Sequence, residues 1–569
     1  MDSPGISVVD VRQKPDDVEE LDIAAQLAKE IAPRFARLTP SERASLLREM
    51  IPLAAAVAED WVRAACAAKR IAFDSPVSGE EWLAGPAVVV RNLRLLAESW
   101  ERIAAGQSPV EGLPWRKRGN GIVEVDVFPA GPLDAALFSG FSATVLARGD
   151  EPCAMPEIPS GGATTLILGA GNVSSIPAMD ALYKLFVEGR TCVLKMNPVN
   201  EWAGPFINRA FTPLVSRGYL EIVYGGAEAG EFLCNHPAID EVHITGSDRT
   251  HDLIVWGPPG PERDRRKAAN DPVLRKPVTS ELGNVSPVAI VPGPYSDRQL
   301  RFMARNVAGM VTNNGSFNCN AAKMLITARD WPQRMRFLHF LTEALKATPL
   351  RDAYYPGAHD RYRRLTEGRG SSVMRLGEAK DGEIPWTFIE GLNPSNRDEP
   401  LFCTEPFCGL ISEVSIASND PADFLDTMTL FCNHRLWGTL NASIIVHPST
   451  EKDPVGKAAL ERAIDALDYG TVAVNHWPAL GYGFVSPPWG GSPNATLADV
   501  KSGIGWVHNT FMLRNIVKSV IRGPLTVSPK PAWFADNRRA ADIGRRLVAL
   551  EASPSWLKLP GMVLTAIRG

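Results

Sequence analysis

Cys319 sits in the run Asn313-Asn314-Gly315-Ser316-Phe317-Asn318-Cys319-Asn320-Ala321-Ala322-Lys323, between two asparagines. A glycine turn precedes it and an apolar strand signal, Met324-Leu325-Ile326, follows. A thiol at the mouth of such a loop, flanked by amide side chains, is placed to act as a nucleophile once deprotonated. The competing reading is a small buried hydrophobe, the usual fate of a free cysteine. A second stretch points to a ligand. Residues 164–168 are a short apolar strand, followed by the turn Gly169-Ala170-Gly171-Asn172. Helices at about 177–188, 203–216 and 228–235 then alternate with strands at 191–195, 220–223 and 239–245. Such alternation means a parallel sheet whose ligands gather at the carboxyl ends of its strands, a nucleotide being the default. Gly169-x-Gly171 alone leaves the dinucleotide fingerprint incomplete.

The rest of the chain must position these stretches. At 569 residues it is several domains or one large composite. Sixty basic against 64 acidic residues, with no basic stripe, argue against nucleic acid as a partner. The eight cysteines are scattered without a CxxC pair, so zinc clusters and a disulfide framework are not expected, and a reducing cytoplasm fits. No secretory signal opens the sequence, and no window approaches the roughly 18 apolar residues of a membrane span. From Leu21 apolar residues recur at helical spacing, and Thr39, Pro40 and Glu42 open a second helix as cap, first-turn proline and capping-box acid. This helical lead-in reaches about residue 103 and shows no chemistry of its own. Residues 123–127 alternate as a strand with one wet face, and 128–160 read as extended or irregular. Residues 257–276 form a charged, proline-rich insertion; the tail beyond 515 carries Trp533, Phe534, Trp556 and Leu557 and an amphipathic helix near 538–551.

Five motifs, taken in order, resemble the aldehyde dehydrogenase superfamily over about 160–510. They are Ile244-Thr245-Gly246-Ser247, Glu281-Leu282-Gly283 with Ser286-Pro287, the Gly315 to Cys319 loop, Glu405-Pro406-Phe407, and Pro488-Trp489-Gly490-Gly491 with Ser502-Gly503. The resemblance implies an α/β fold with a Rossmann-type cofactor domain, an α/β catalytic domain and a small β oligomerisation arm. On that basis 1–126 is lead-in and the first part of the cofactor domain, 127–160 the arm, 161–282 the Rossmann-type domain, 283–470 the catalytic domain, 471–515 the return to cofactor domain and arm, and 516–569 an extension. It also implies NAD or NADP as cofactor, a small aldehyde or acyl thioester as substrate, assembly as a homodimer or homotetramer, and no metal. Carried over by position, Cys319 is the nucleophile, Asn172 an oxyanion donor and Glu281 the general base. Lys195 matches the adenine-ribose lysine, Gly246 and Ser247 the pyrophosphate turn, Glu405 the nicotinamide-ribose carboxylate, and Phe407 packs beside it.

The departures bear on the activity. The family's cysteine lies three positions after the loop glycine, but here it lies four after Gly315, so a gapless comparison puts Asn318 at the nucleophile position. Position 198 is proline where NAD-preferring members often carry glutamate, which admits NADP; Glu201 nearby keeps NAD in play. The run after Ser247 is Asp248-Arg249-Thr250-His251, with His251 expected on a helix surface. Arg263, Arg265, Arg266 and Lys267 of the insertion suit a phosphate-bearing substrate such as coenzyme A, or a solvated loop. The turn 169–177 also resembles that of fatty acyl-CoA reductases in the same superfamily. The leading expectation is NAD(P)-dependent oxidation of an aldehyde through a Cys319 thioester. The alternatives are an acyl-CoA reductase using the same thiol, and an inactive binding protein that lost the nucleophile register.

Overall fold

The computed structural model describes residues 13–569. Its lead-in is helical as the spacing predicts. Thr39 and Glu42 form a reciprocal capping box at the start of Pro40–Ala68, and that helix buries Leu47, Met50, Trp61 and Val62 against Val88–Ala104.

The nucleotide-type sheet has five parallel strands in the spatial order Leu220–Val223, Thr191–Lys195, Thr164–Leu168, Glu241–Gly246, Val278–Leu282. The first strand in the chain is central. The next two add on one side and the last two on the other, so the order reverses beside Leu168 and a crevice opens at the carboxyl ends there. Helix Val18–Ala36 covers one face, and helix Ile176–Phe186, buried at every position, covers the other.

A second, eleven-stranded sheet runs in the order 115–119, 122–128, 142–148, 516–522, 471–474, 441–445, 287–290, 324–328, 410–416, 386–392, 373–376. Its central strands are buried along almost their whole length, as parallel strands covered on both faces are, although Glu413, Asn441 and Ser443 lie among their apolar residues. The strands of the expected arm lie in the same sheet. Ile516–Arg522 pairs antiparallel with Ser142–Arg148 on one side and parallel with Thr471–Val474 on the other. Ile516–Arg522, expected in a C-terminal extension, is thus an inner strand of this sheet and joins the expected arm strand Ser142–Arg148 to the rest of it.

Several local expectations change. Residues 128–160 are not wholly irregular but hold helix Pro132–Leu137 and strand Ser142–Arg148. The wet face of 122–128 is dry at Glu124, which is buried beneath Arg116 and Arg118. The insertion contains helix Pro261–Ala269, whose basic residues pair locally: Arg265 and Arg266 with Glu262, Lys267 with Asp252. His251 is fully buried beside Asp252 rather than on the helix surface. In the tail, Trp533 donates to Asn306 Oδ1 and Phe534 is buried, whereas Trp556 and Leu557 are exposed.

Candidate active site

The crevice of the five-stranded sheet opens into a cavity of about 830 Å³ that continues to the nucleophile loop. Asn172, Lys195, Gly246, Ser247, Glu281, Cys319, Glu405 and Phe407 all line it. Four are set by strand ends. Lys195 closes Thr191–Lys195; its ammonium is buried and pushed below its ordinary value by desolvation. Gly246 closes Glu241–Gly246, and Ser247 caps the next helix by accepting from the Thr250 N–H at 3.2 Å. Glu281 lies near the end of Val278–Leu282.

The loop's backbone accommodates the changed spacing between Gly315 and Cys319. Asn314, Gly315 and Ser316 take successive left-handed conformations, with φ of 52°, 65° and 69°. These tight steps absorb the additional residue. Asn318 turns inward: its Nδ2 donates to Asn313 Oδ1 at 3.0 Å, and its Oδ1 accepts from Asn314 Nδ2 at 3.1 Å. Cys319, not Asn318, lines the cavity. The Cys319 carbonyl is fixed by Ser286 Oγ at 3.1 Å and Lys323 Nζ at 2.9 Å.

Cys319 and Glu281 line the same cavity and act on each other's ionisation. Burial first, then the negative charge of Asp180, pushes the Glu281 carboxyl up to about 8. Burial and the adjacent Glu281 push the Cys319 thiol up. Trp489 Nε1 donates to Glu281 Oε1 at 3.3 Å. Glu281 makes ionisation of the thiol harder, whereas Cys319 favours the ionised form of Glu281; it is burial and the Asp180 charge that keep that carboxyl protonated at neutral pH.

Asn172 reaches the same loop by a contact the sequence did not foretell. Its side-chain amide donates to the Phe317 carbonyl at 2.9 Å. Its own carbonyl accepts from Asn314 Nδ2 at 3.1 Å and Tyr354 Oη at 3.0 Å. Glu405 pairs with Lys323 across the cleft. A methyl group on Gly283 would overlap the Glu405 carboxylate, so glycine is required for that carboxylate's position. Phe407 packs edge-on against Tyr355 at 4.9 Å.

The helical lead-in is not chemically silent. Lys69 and Glu81 form a buried ion pair, and Lys69 Nζ also donates to Asn314 Oδ1 at 3.0 Å. Glu80 accepts from the Asn314 backbone N–H at 2.9 Å and pairs with Arg351. Asn314 is therefore the hub of the loop. No sequence signal links positions 69 and 314; Lys323 and Trp489 lay inside recognised motifs without an assigned role. Pro198 and Arg249 line the cavity, whereas the four basic residues of the insertion do not. Among the described residues no group of three or more His, Cys, Asp or Glu is placed to hold a metal.

Residues 164–359, which contain the crevice, Glu281 and Cys319, match the aldehyde dehydrogenase family. Over that stretch, about a third of its length, the chain is similar to aldehyde dehydrogenases. A structure of NADP-dependent glyceraldehyde-3-phosphate dehydrogenase from Bacillus halodurans, complexed with NADP, superposes with a TM-score of 0.60 at 17% identity, over 88% of this chain and 91% of that one. A 4-trimethylaminobutyraldehyde dehydrogenase of Pongo abelii is 29% identical over 141 residues, 24% of this chain and 25% of that protein. Aminoaldehyde dehydrogenase 1, peroxisomal, of Pisum sativum is 37% identical over 112 residues, 19% of each chain. The chain thus spans about a quarter or less of the length of these curated relatives.

Proposed function

We propose that this protein oxidises an aldehyde to a carboxylic acid with NAD(P), through a thioester on Cys319. One observation carries the reading: Cys319 and Glu281 line the same cavity as Lys195, Gly246 and Ser247. The residues fit a dinucleotide. Gly246 faces open space, Ser247 starts a helix whose backbone N–H groups favour phosphate, and Lys195 is a buried cation at the strand end. Glu405, shaped by Gly283, suits a ribose hydroxyl. A bound nicotinamide supplies the hydride acceptor.

The chain's own residues do the rest. The Cys319 sulfur bonds to the aldehyde carbon while the thiol proton passes to Glu281. The backbone N–H groups of the loop and the Asn172 amide, which already donates at the loop, steady the negative oxygen; one such donor is worth about 2.7–4 kcal/mol in the barrier. After oxidation of the carbon, Glu281 gives up the thiol's proton to solvent and then takes a proton from water; the hydroxyl adds to the thioester carbon, and the carbon–sulfur bond breaks as Glu281 returns that proton to sulfur, releasing acid and thiol.

Pro198 offers no carboxylate against a 2′-phosphate, so NADP is admitted alongside NAD. The acyl-CoA reductase alternative loses its charge argument, because the basic side chains of the insertion pair with Glu262 and Asp252 and do not line the cavity. The inactive-relative alternative loses its register argument, because Cys319 lines the cavity. Eight unpaired cysteines suit a reducing cytoplasm. The test follows reduced-nicotinamide absorbance with NAD and NADP over short and long aldehydes, in wild type and Cys319→Ala. Turnover abolished by the substitution supports the reading; turnover that survives it, or none in either protein, overturns it.

A further inference from the structure

The tail presents an apolar face that the site does not use. Helix Leu559–Ile567 turns Met562 inward, while Val563, Leu564 and Ile567, spaced three and four apart, share an exposed face. Trp556 and Leu557, in the turn just before the helix, are exposed as well; Leu557 is 91% exposed, the largest such value among the described large apolar residues. Five of the exposed large apolar residues therefore fall within twelve consecutive positions. Charge says what covers them. Residues 553–569 contain no Asp or Glu, and Lys558 and Arg568 stand at the two ends of the helix. Arg546 of the preceding helix reaches beneath Gly561. A second copy of this chain would bring like charges together at this face.

We propose that the tail face docks on an anionic lipid bilayer. An apolar stripe with a tryptophan at its edge and cations at its ends matches the boundary between acyl chains and negative headgroups. The helix of nine residues is far too short to cross a bilayer, and among the described residues no helix is long and apolar enough to do so. The association is therefore peripheral, with the helix lying in the plane of the interface.

The test uses the full chain and co-sedimentation with vesicles of phosphatidylcholine alone or with about one-third phosphatidylglycerol. Two basic side chains at about 1 kcal/mol each predict a roughly thirtyfold preference for the anionic vesicles, reduced by high salt. The double variant Leu557→Asp/Leu564→Asp, at positions that are already exposed, should keep its melting temperature and lose vesicle binding. No pelleting of the wild type with anionic vesicles overturns the proposal. So does equal pelleting of the double variant, or light scattering in which the wild type is an oligomer that the variant dissolves, which would make this face a self-contact.

Discussion

With its carboxyl pushed up to about 8, the proposed base Glu281 predicts activity that climbs in the alkaline range. Against an ordinary 4.5, the carboxyl is held protonated by roughly 5 kcal/mol, taking about 1.36 kcal/mol per unit. Only about a tenth of it is ionised at pH 7, half at pH 8 and nine-tenths at pH 9, so kcat/KM should rise about tenfold between pH 7 and 9. The assay is kcat/KM for one aldehyde from pH 6.5 to 9.5 at fixed ionic strength. Glu281→Gln should remove the rise, and Asp180→Asn should move its midpoint down, because the Asp180 charge is the largest cause after burial. The same group leaves a mark on stability. Folding raises this carboxyl, so its favourable contribution is complete below about pH 4.5 and is lost as pH climbs through about 8. Glu281→Gln should therefore be more stable than wild type at pH 9 and no more stable at pH 4.5. A rate profile flat above pH 6, with no stability gain at pH 9, would refute the reasoning.

Two further outcomes follow from contacts at the loop. Gly283→Ala displaces Glu405, and the loss of one charged hydrogen bond, about 1.5–3 kcal/mol, should weaken NAD(P) binding roughly 10- to 100-fold by titration calorimetry; unchanged binding would remove Glu405 from the cofactor site. Lys69→Met leaves Glu81 buried without its cation, so chemical unfolding should show a loss of about 3–5 kcal/mol, and iodoacetamide should label Cys319 at a changed rate because Asn314 loses its anchor; a loss below about 1 kcal/mol would mean the pair is solvated.

Much of the site was legible because its residues come in short motifs at strand ends. Thr245-Gly246-Ser247, Glu281-Leu282-Gly283 and Glu405-Pro406-Phe407 each carry local backbone geometry in their own letters, and all reach one cavity. The Thr39 capping box was legible for the same reason. What escaped depends on approach between distant segments. Lys69 meets Asn314 across 245 positions, and nothing local to either announces it. The side on which Asn318 points follows from three left-handed residues in a row, only one of them glycine, which residue types alone do not predict. Glu124 alternates like a solvent-facing acid and is buried because Arg116 and Arg118 fold over it. His251 read as surface because its helix is short and polar, yet it turns inward.

The strand Ile516–Arg522 sets the order in which the molecule can be finished. Ala143 pairs with Ile521, 378 positions later (521 − 143), and among the described residues no other strand joins the two parts of the eleven-stranded sheet. At about 5–20 residues per second, the ribosome leaves the early strands waiting roughly 20–75 s for that partner. During that interval Ser142–Arg148 presents an open edge bearing Val145 and Leu146, the kind of edge that recruits foreign strands. A nascent chain of this protein is therefore a client for chaperones until residue 522 has emerged, and a ribosome stalled before that point releases an aggregation-prone fragment.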